Sequence, residues 1–173
     1  MADQDAAASN GSGEGQTEPQ VSVIAQYIKD LSVENPSAPQ VYQWQTQPTL
    51  EVQFNIGIEN AADDVHEVTL KIDVSARSES GVHFVVDLSY AGLFGLVNIP
   101  QEAIAPFLLV EAPRLIFPFA RRIIAESVTN AGFPPVMLDP IDFSSAYLAQ
   151  LQAQQNQDGG AVAELTGEEP GNA

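Results

Sequence analysis

The chain has 173 residues, 45% of them hydrophobic, and sets 6 Lys and Arg against 23 Asp and Glu for a formal charge of −17. That length supports one domain with a real core. The acid excess argues against nucleic acid or an anionic membrane as partner, since phosphate neutralisation needs clustered cations, and favours a cationic partner or solubility protection for exposed apolar surface. With no cysteine, disulfides, thiolate zinc sites and a cysteine nucleophile are excluded.

Residues 1–20 and 152–173 are rich in Gly, Ala, Gln and acids, contain no Lys or Arg, and hold eight of the 23 acids. Two disordered acidic tails are expected there, leaving 21–151 as the folded domain. The first twenty residues lack the basic and apolar regions of a secretory signal. The apolar run "AIAPFLLVEAPRLIFPFA" is interrupted by Pro106, Glu111, Pro113 and Arg114, so no membrane-spanning stretch is expected and the location predicted is cytoplasmic.

Val21 to Val33 alternates loosely, with Val23, Tyr27, Leu31 and Val33 on one side and Asp30, Ser32 and Glu34 on the other. A proline-bracketed crossing, "APQVYQWQTQP", carries Tyr42 and Trp44. "LEVQFNIGI" then places Leu50, Val52, Phe54, Ile56 and Ile58 on one face at strict period two. "VHEVTLKIDVSA" does the same with Val68, Leu70, Ile72 and Val74. After the turn "SESG", "VHFVVDLSY" alternates Phe84, Val86, Leu88 and Tyr90 against Val85, Asp87 and Ser89, which predicts a hairpin. Gly92 and Gly95 are expected where this strand gives way to helix.

The second half predicts helices. Pro100 opens one and Pro113 a second, with a kink or later start at Pro118 and a stop at Asn130–Gly132. Asp142 is placed to cap a last helix beginning "FSSAYLAQ". The fold class predicted is α+β, a four-stranded antiparallel sheet followed by two to three helices. Four strands with one apolar face each, covered by so few helices, leave apolar surface over, and oligomerisation is the expected outlet.

Catalysis has little support. In "DDVHE", Asp64 and His66 fall two apart, as an acid–base or metal pair on a strand would, but no further His, Ser or Glu cluster completes a site. Neither a phosphate-binding glycine loop nor a nucleophile elbow occurs. No enzyme activity, catalytic residue, metal or cofactor is predicted.

"YIKDLSVENPSAP", "DDVHEV", "LIFPFAR" and "GFPPVMLDPIDF", in this order and spacing, resemble the SecB family of export chaperones from about Val21 to Gln152. The resemblance implies an ATP-independent holdase, a homotetramer built as a dimer of dimers, that keeps unfolded secretory precursors translocation-competent and passes them to the SecA motor. Matched position by position, it implies a SecA-docking surface at Asp30, Glu34, Val85 and Asp87, and tetramer-maintaining positions at Phe84, Val86, Leu88 and Tyr90. Position and chemistry suggest a client groove of Tyr42, Trp44, Val52, Phe54, Phe94, Leu115, Phe119 and Phe133. The family's usual tryptophan stands two places on, at Thr46. A SecB-like chaperone of a toxin–antitoxin or other non-export client is the alternative; a small-ligand carrier or enzyme using Asp64 and His66 ranks third.

Overall fold

The computed structural model describes residues 18–163, with side chains as far as residue 156. Most of the two expected tails lies outside the described residues. The first strand starts one residue early, at Gln20, and the last helix runs to Ala163, so that residues 152–163 of the expected disordered C-terminal tail are helical.

Strands β1 (Gln20–Glu34), β2 (Thr49–Ala62), β3 (Val65–Ser78) and β4 (Gly81–Val97) form one antiparallel sheet in the order β1-β4-β3-β2. The last three make a meander because two-residue turns join them. In the first turn Asp64 takes a φ of 57°, a left-handed conformation that Asp tolerates better than most residues. Its carbonyl accepts a 2.7 Å hydrogen bond from the Leu96 N–H. β1 pairs with β4 instead of β2, so residues 35–48 must cross from one edge of the sheet to the other. A single 3-10 turn, Gln40–Gln43, punctuates this crossing and buries Val41.

Two bulges in β1, between Val23 and Ala25 and between Ile28 and Asp30, correct the expected alternation. Each inserts one unpaired residue and flips the phase of the strand. Tyr27 therefore leaves the side of Leu31 and joins the opposite face, where its hydroxyl donates to Glu67 of β3. β4 also departs from expectation, continuing to Val97 instead of ending at its glycines. The reason is space. A Cβ on Gly92 would lie 2.7 Å from the Phe94 ring and 3.0 Å from Ile116, so the missing side chain is what lets Phe94 fold flat beneath the helix.

Three helical segments after β4, α1 (Gln101–Pro106), a π-helical turn (Phe107–Glu111) and α2 (Ala112–Asn130), run as one helix from Gln101 to Asn130. Pro113 does not start a new helix as predicted. Proline has no N–H to give the carbonyl four residues back, and the π turn uses the wider spacing instead: the Ala112 N–H bonds to the Phe107 carbonyl. The continuous helix is long and apolar enough, by length and composition, to cross a membrane. Its stripe Ile116, Phe117, Ala120, Ile124 and Val128 is buried in the core with the inner residues of β3 and β4, the arrangement of a core helix. The final helix, α3 (Phe143–Ala163), starts as predicted at Asp142, whose carboxylate accepts the Ser145 N–H at 3.0 Å. Phe143 anchors it between Phe54 and Phe117, at ring separations of 5.7 and 6.1 Å.

Candidate functional site

The helix-free face of the sheet carries the charge. The β1–β4 register sets Glu34 opposite Val85, Ser32 opposite Asp87 and Asp30 opposite Ser89. All four residues of the expected docking set, Asp30, Glu34, Val85 and Asp87, thus share one face at one corner of the sheet. Across β4 the same rows continue into Ser75, Asp73 and Lys71 of β3, then into Glu51, Gln53 and Asn55 of β2. Below them Glu67 accepts from Lys29 at 2.6 Å and from Tyr27, tying β1 to β3 over the small side chain of Ala91. These two donors hold the Glu67 carboxyl below the usual carboxylate range. Carboxylates in adjacent rows of a flat surface make a face that attracts cationic segments.

The helix-side face carries an aromatic groove of about 570 Å³, edged by Gln45, Thr46 and Gln47, between the crossing and the segment after α2. Its geometry is fixed by the end of α2. The Phe133 N–H bonds to the Val128 carbonyl and the Gly132 N–H to that of Thr129, a Schellman closure that needs the positive φ of Gly132, here 90°. That turn throws Phe133 back onto Phe84, 5.0 Å between ring centres, and onto Tyr42 at 5.6 Å. The Tyr42 hydroxyl donates to the Ala131 carbonyl at 2.7 Å and receives an Asn35 N–H at 2.7 Å, so the crossing is pinned to the helix end. Trp44 meets His83 edge-on at 5.0 Å, and His83 Nε2 pairs with Ser78 Oγ at 2.8 Å. Tyr42, Trp44 and Phe133 are therefore brought together. Leu50 also lines this groove, and Val52 and Phe54 extend it along the same face of β2 towards a second hollow beside Phe143 and Tyr147.

The structure separates the rest of the expected groove set. Phe94 has no exposed surface; packed near Phe107 in the core, it offers nothing to a client. Leu115 and Phe119 are exposed, but on the outward side of α2, four residues apart and away from the aromatic groove. The four positions expected to maintain the tetramer lie in the core of the single chain. Phe84, Val86, Leu88 and Tyr90 are 0–7% exposed within one chain, because they belong to the core that α2 closes. The half-exposed apolar surface lies elsewhere: Val21, Val23, Ile28, Leu31 and Val33 on β1, Leu50, Val52, Phe54 and Ile58 on β2, and the outward side of α2.

Sequence reasoning missed His83 and Phe84 as groove residues. A bulge near Arg77 makes His83 the extra residue of β4 and buries both side by side, for which the alternation gives no signal. Asp64 sits in the β2–β3 turn and not on a strand beside His66, so the imagined pair is not assembled. Among the described residues no group of three or more His, Asp or Glu converges to hold a metal ion.

Residues 14–154 match the family described as "Preprotein translocase subunit SecB". The chain is 61% identical over 136 residues to the protein-export protein SecB of Zymomonas mobilis, covering 79% of this chain and 83% of that one. It is 51% identical over 141 residues to the namesake from Sphingopyxis alaskensis, covering 82% of each. Among solved structures, a Mycobacterium tuberculosis SecB-like chaperone in complex with a ChAD peptide from the HigA1 antitoxin aligns with a TM-score of 0.58 at 12% identity, over 70% of this chain and 90% of that one.

Proposed function

The chain belongs to the SecB family, and from that premise we propose that it is a cytoplasmic, ATP-independent export holdase that keeps unfolded precursors translocation-competent and delivers them to SecA. The observation that carries this reading is the division of labour between two faces of one sheet. Apolar strips on the edge strands and an aromatic groove stand open on one side, and aligned carboxylates on the other.

In this reading a precursor segment lies in the groove of Tyr42, Trp44 and Phe133 and continues along Leu50, Val52 and Phe54. Each contact is weak, since about 25 cal/mol per Å² of apolar burial is partly cancelled by ordering. Four subunits in a dimer of dimers multiply such contacts along one client, which a folded protein with its apolar residues hidden does not offer. Asp30, Glu34, Asp87 and the intervening Val85 receive a cationic segment of SecA, more weakly as salt rises. No bond is made or broken, so no catalytic group or cofactor enters the cycle.

The test is capture of bound chains from a cytosol in which precursors accumulate. Enrichment of unprocessed secretory precursors supports the reading; enrichment of a single antitoxin-like protein replaces it with the dedicated-client alternative. Asp30→Lys and Asp87→Lys are expected to weaken SecA binding while client binding persists. Unchanged SecA affinity in both removes the docking role.

A further inference from the structure

The acidic face contains one arrangement that a simple carboxylate surface does not explain. Asp73 on β3 and Asp87 on β4 are directly opposed partners in the antiparallel register. Directly opposed residues on one face of such a pair place their Cβ atoms about 4.5–5.5 Å apart, and like charges there repel. One Asp73 oxygen, Oδ1, is buried and has no hydrogen-bond partner. A carboxylate oxygen shielded from water and unpaired, facing a second carboxylate, is the arrangement that one shared proton satisfies.

The surroundings offer little other relief. On β3 the flanking residues of this face are Lys71 and Ser75; on β4 they are Ser89 and Val85. β1 contributes Ser32 opposite Asp87, with Asp30 and Glu34 in the adjoining rows. β2 contributes Gln53 opposite Asp73, with Asn55 and Glu51 beside it. Lys71 is thus the one cation in these rows, set against five carboxylates. The Asp87 carboxyl is raised above its ordinary value, first because Asp73 is placed to accept a hydrogen bond from its protonated form, then by burial and by the charge of Asp73, with Lys71 opposing.

We propose that, over the pH range in which the facing pair titrates, Asp73 and Asp87 share one proton while the face is empty and release it to solvent when a cationic segment docks, so that docking is linked to pH. This rests on the docking role proposed above and adds Asp73 to it. A cation above the pair stabilises both carboxylates in the charged form. Affinity for the segment then rises with pH through the titration of the pair and falls below it, by up to about tenfold per pH unit for one proton released. A shared proton also spares the empty face part of its self-repulsion.

Two measurements on the full-length protein decide this. The first is carbon-detected NMR titration of the side-chain carboxyls in wild type and in Asp73→Asn, without any partner. The Asp87 midpoint is expected above the ordinary carboxylate value in wild type and lower in the variant; equal midpoints overturn the shared proton. The second is calorimetry of SecA binding in two buffers of different ionisation enthalpy, near the wild-type midpoint. Buffer-dependent heat showing proton release in wild type and not in Asp73→Asn is expected. Buffer-independent heat in wild type overturns the linkage. If SecA binding also ignores Asp30→Lys, the docking role itself has failed, and the NMR titration still decides the pair.

Discussion

β1 and β4 are hydrogen-bonded neighbours with apolar residues turned to the same side of the sheet, yet those residues meet different fates. On β4, Phe84, Val86, Leu88 and Tyr90 are 0–7% exposed; on β1, Val21, Val23, Ile28, Leu31 and Val33 are 39–47% exposed. β2 repeats the pattern against β3, with Leu50, Val52, Phe54 and Ile58 at 38–44% while Val68, Leu70, Ile72 and Val74 are wholly buried. The cause is one of width. A helix is about 10–12 Å across with its side chains and strands lie about 4.8 Å apart, so α2 covers two strands of four. The central pair therefore stabilises the single chain, and the edge pair leaves apolar surface open to solvent.

The sharpest way to break this comparison is to truncate one residue of each kind. Phe94→Ala empties a fully buried site beside Phe107 and is expected to cost about 3–5 kcal/mol of unfolding free energy in urea titration. Val52→Ala, half exposed on β2, is expected to cost about 1 kcal/mol or less while weakening capture of a denatured client. If Phe94→Ala instead spares stability and impairs clients, the division between centre and edge is wrong.

Charge placed on the exposed surfaces tests what covers them. Leu31→Asp on β1 and Phe119→Glu on the outward side of α2 leave the core untouched. For the proposed tetramer, wild type is expected at four times 18.5 kDa in light scattering and each variant at smaller mass. An unchanged mass in both places the subunit contacts elsewhere.

Glu67→Gln probes how the edge strand is held. It removes the charge that ties Lys29 and Tyr27 of β1 to β3, for an expected loss of about 1 kcal/mol, kept small because Lys29 lies at the surface. The folded-state pKa of Glu67 is depressed, so its stabilisation is complete above the ordinary carboxylate range and is lost as pH falls through the depressed value. Wild type and variant should therefore converge in acid. A gap that persists at low pH assigns the effect to packing.

Much of this was legible in the chain. Period-two alternation separates the two faces of β2 and β3, and spacing puts Asp30 with Glu34 and Val85 with Asp87 on their own strands, while only the family resemblance joined the two pairs into one surface. Bulges were not legible, because the extra residue has no side-chain signature. Counting straight back from the Glu79–Ser80 turn pairs Asp73 with Val86; the extra residue at His83 moves its partner to Asp87 and so creates the facing carboxylates. The same shift buries His83 and Phe84 together behind the groove. Phe94 was misread because its alternation is that of a groove wall, whereas the missing side chain of Gly92 lets its ring pack beneath Ile116 in the core.

The smallest expected effect separates a surface held for other chains from one that is merely wet. Leu115, Phe119, Arg122 and Glu126 follow one another at helical spacing along the outward side of α2, and Arg122 pairs with Glu126 at 2.7 Å in full solvent. An exposed pair four residues apart on a helix contributes little to folding. Arg122→Ala should therefore leave the urea midpoint of the protein where it is. Its effect on assembly then locates the border of the contact. Unchanged mass leaves Arg122 outside any subunit contact, with the ion pair serving only to keep this stretch of α2 in water. A concentration-dependent loss of mass with no change in stability extends the interface along the whole stripe, and it makes the pair a contact between subunits as well as within the helix.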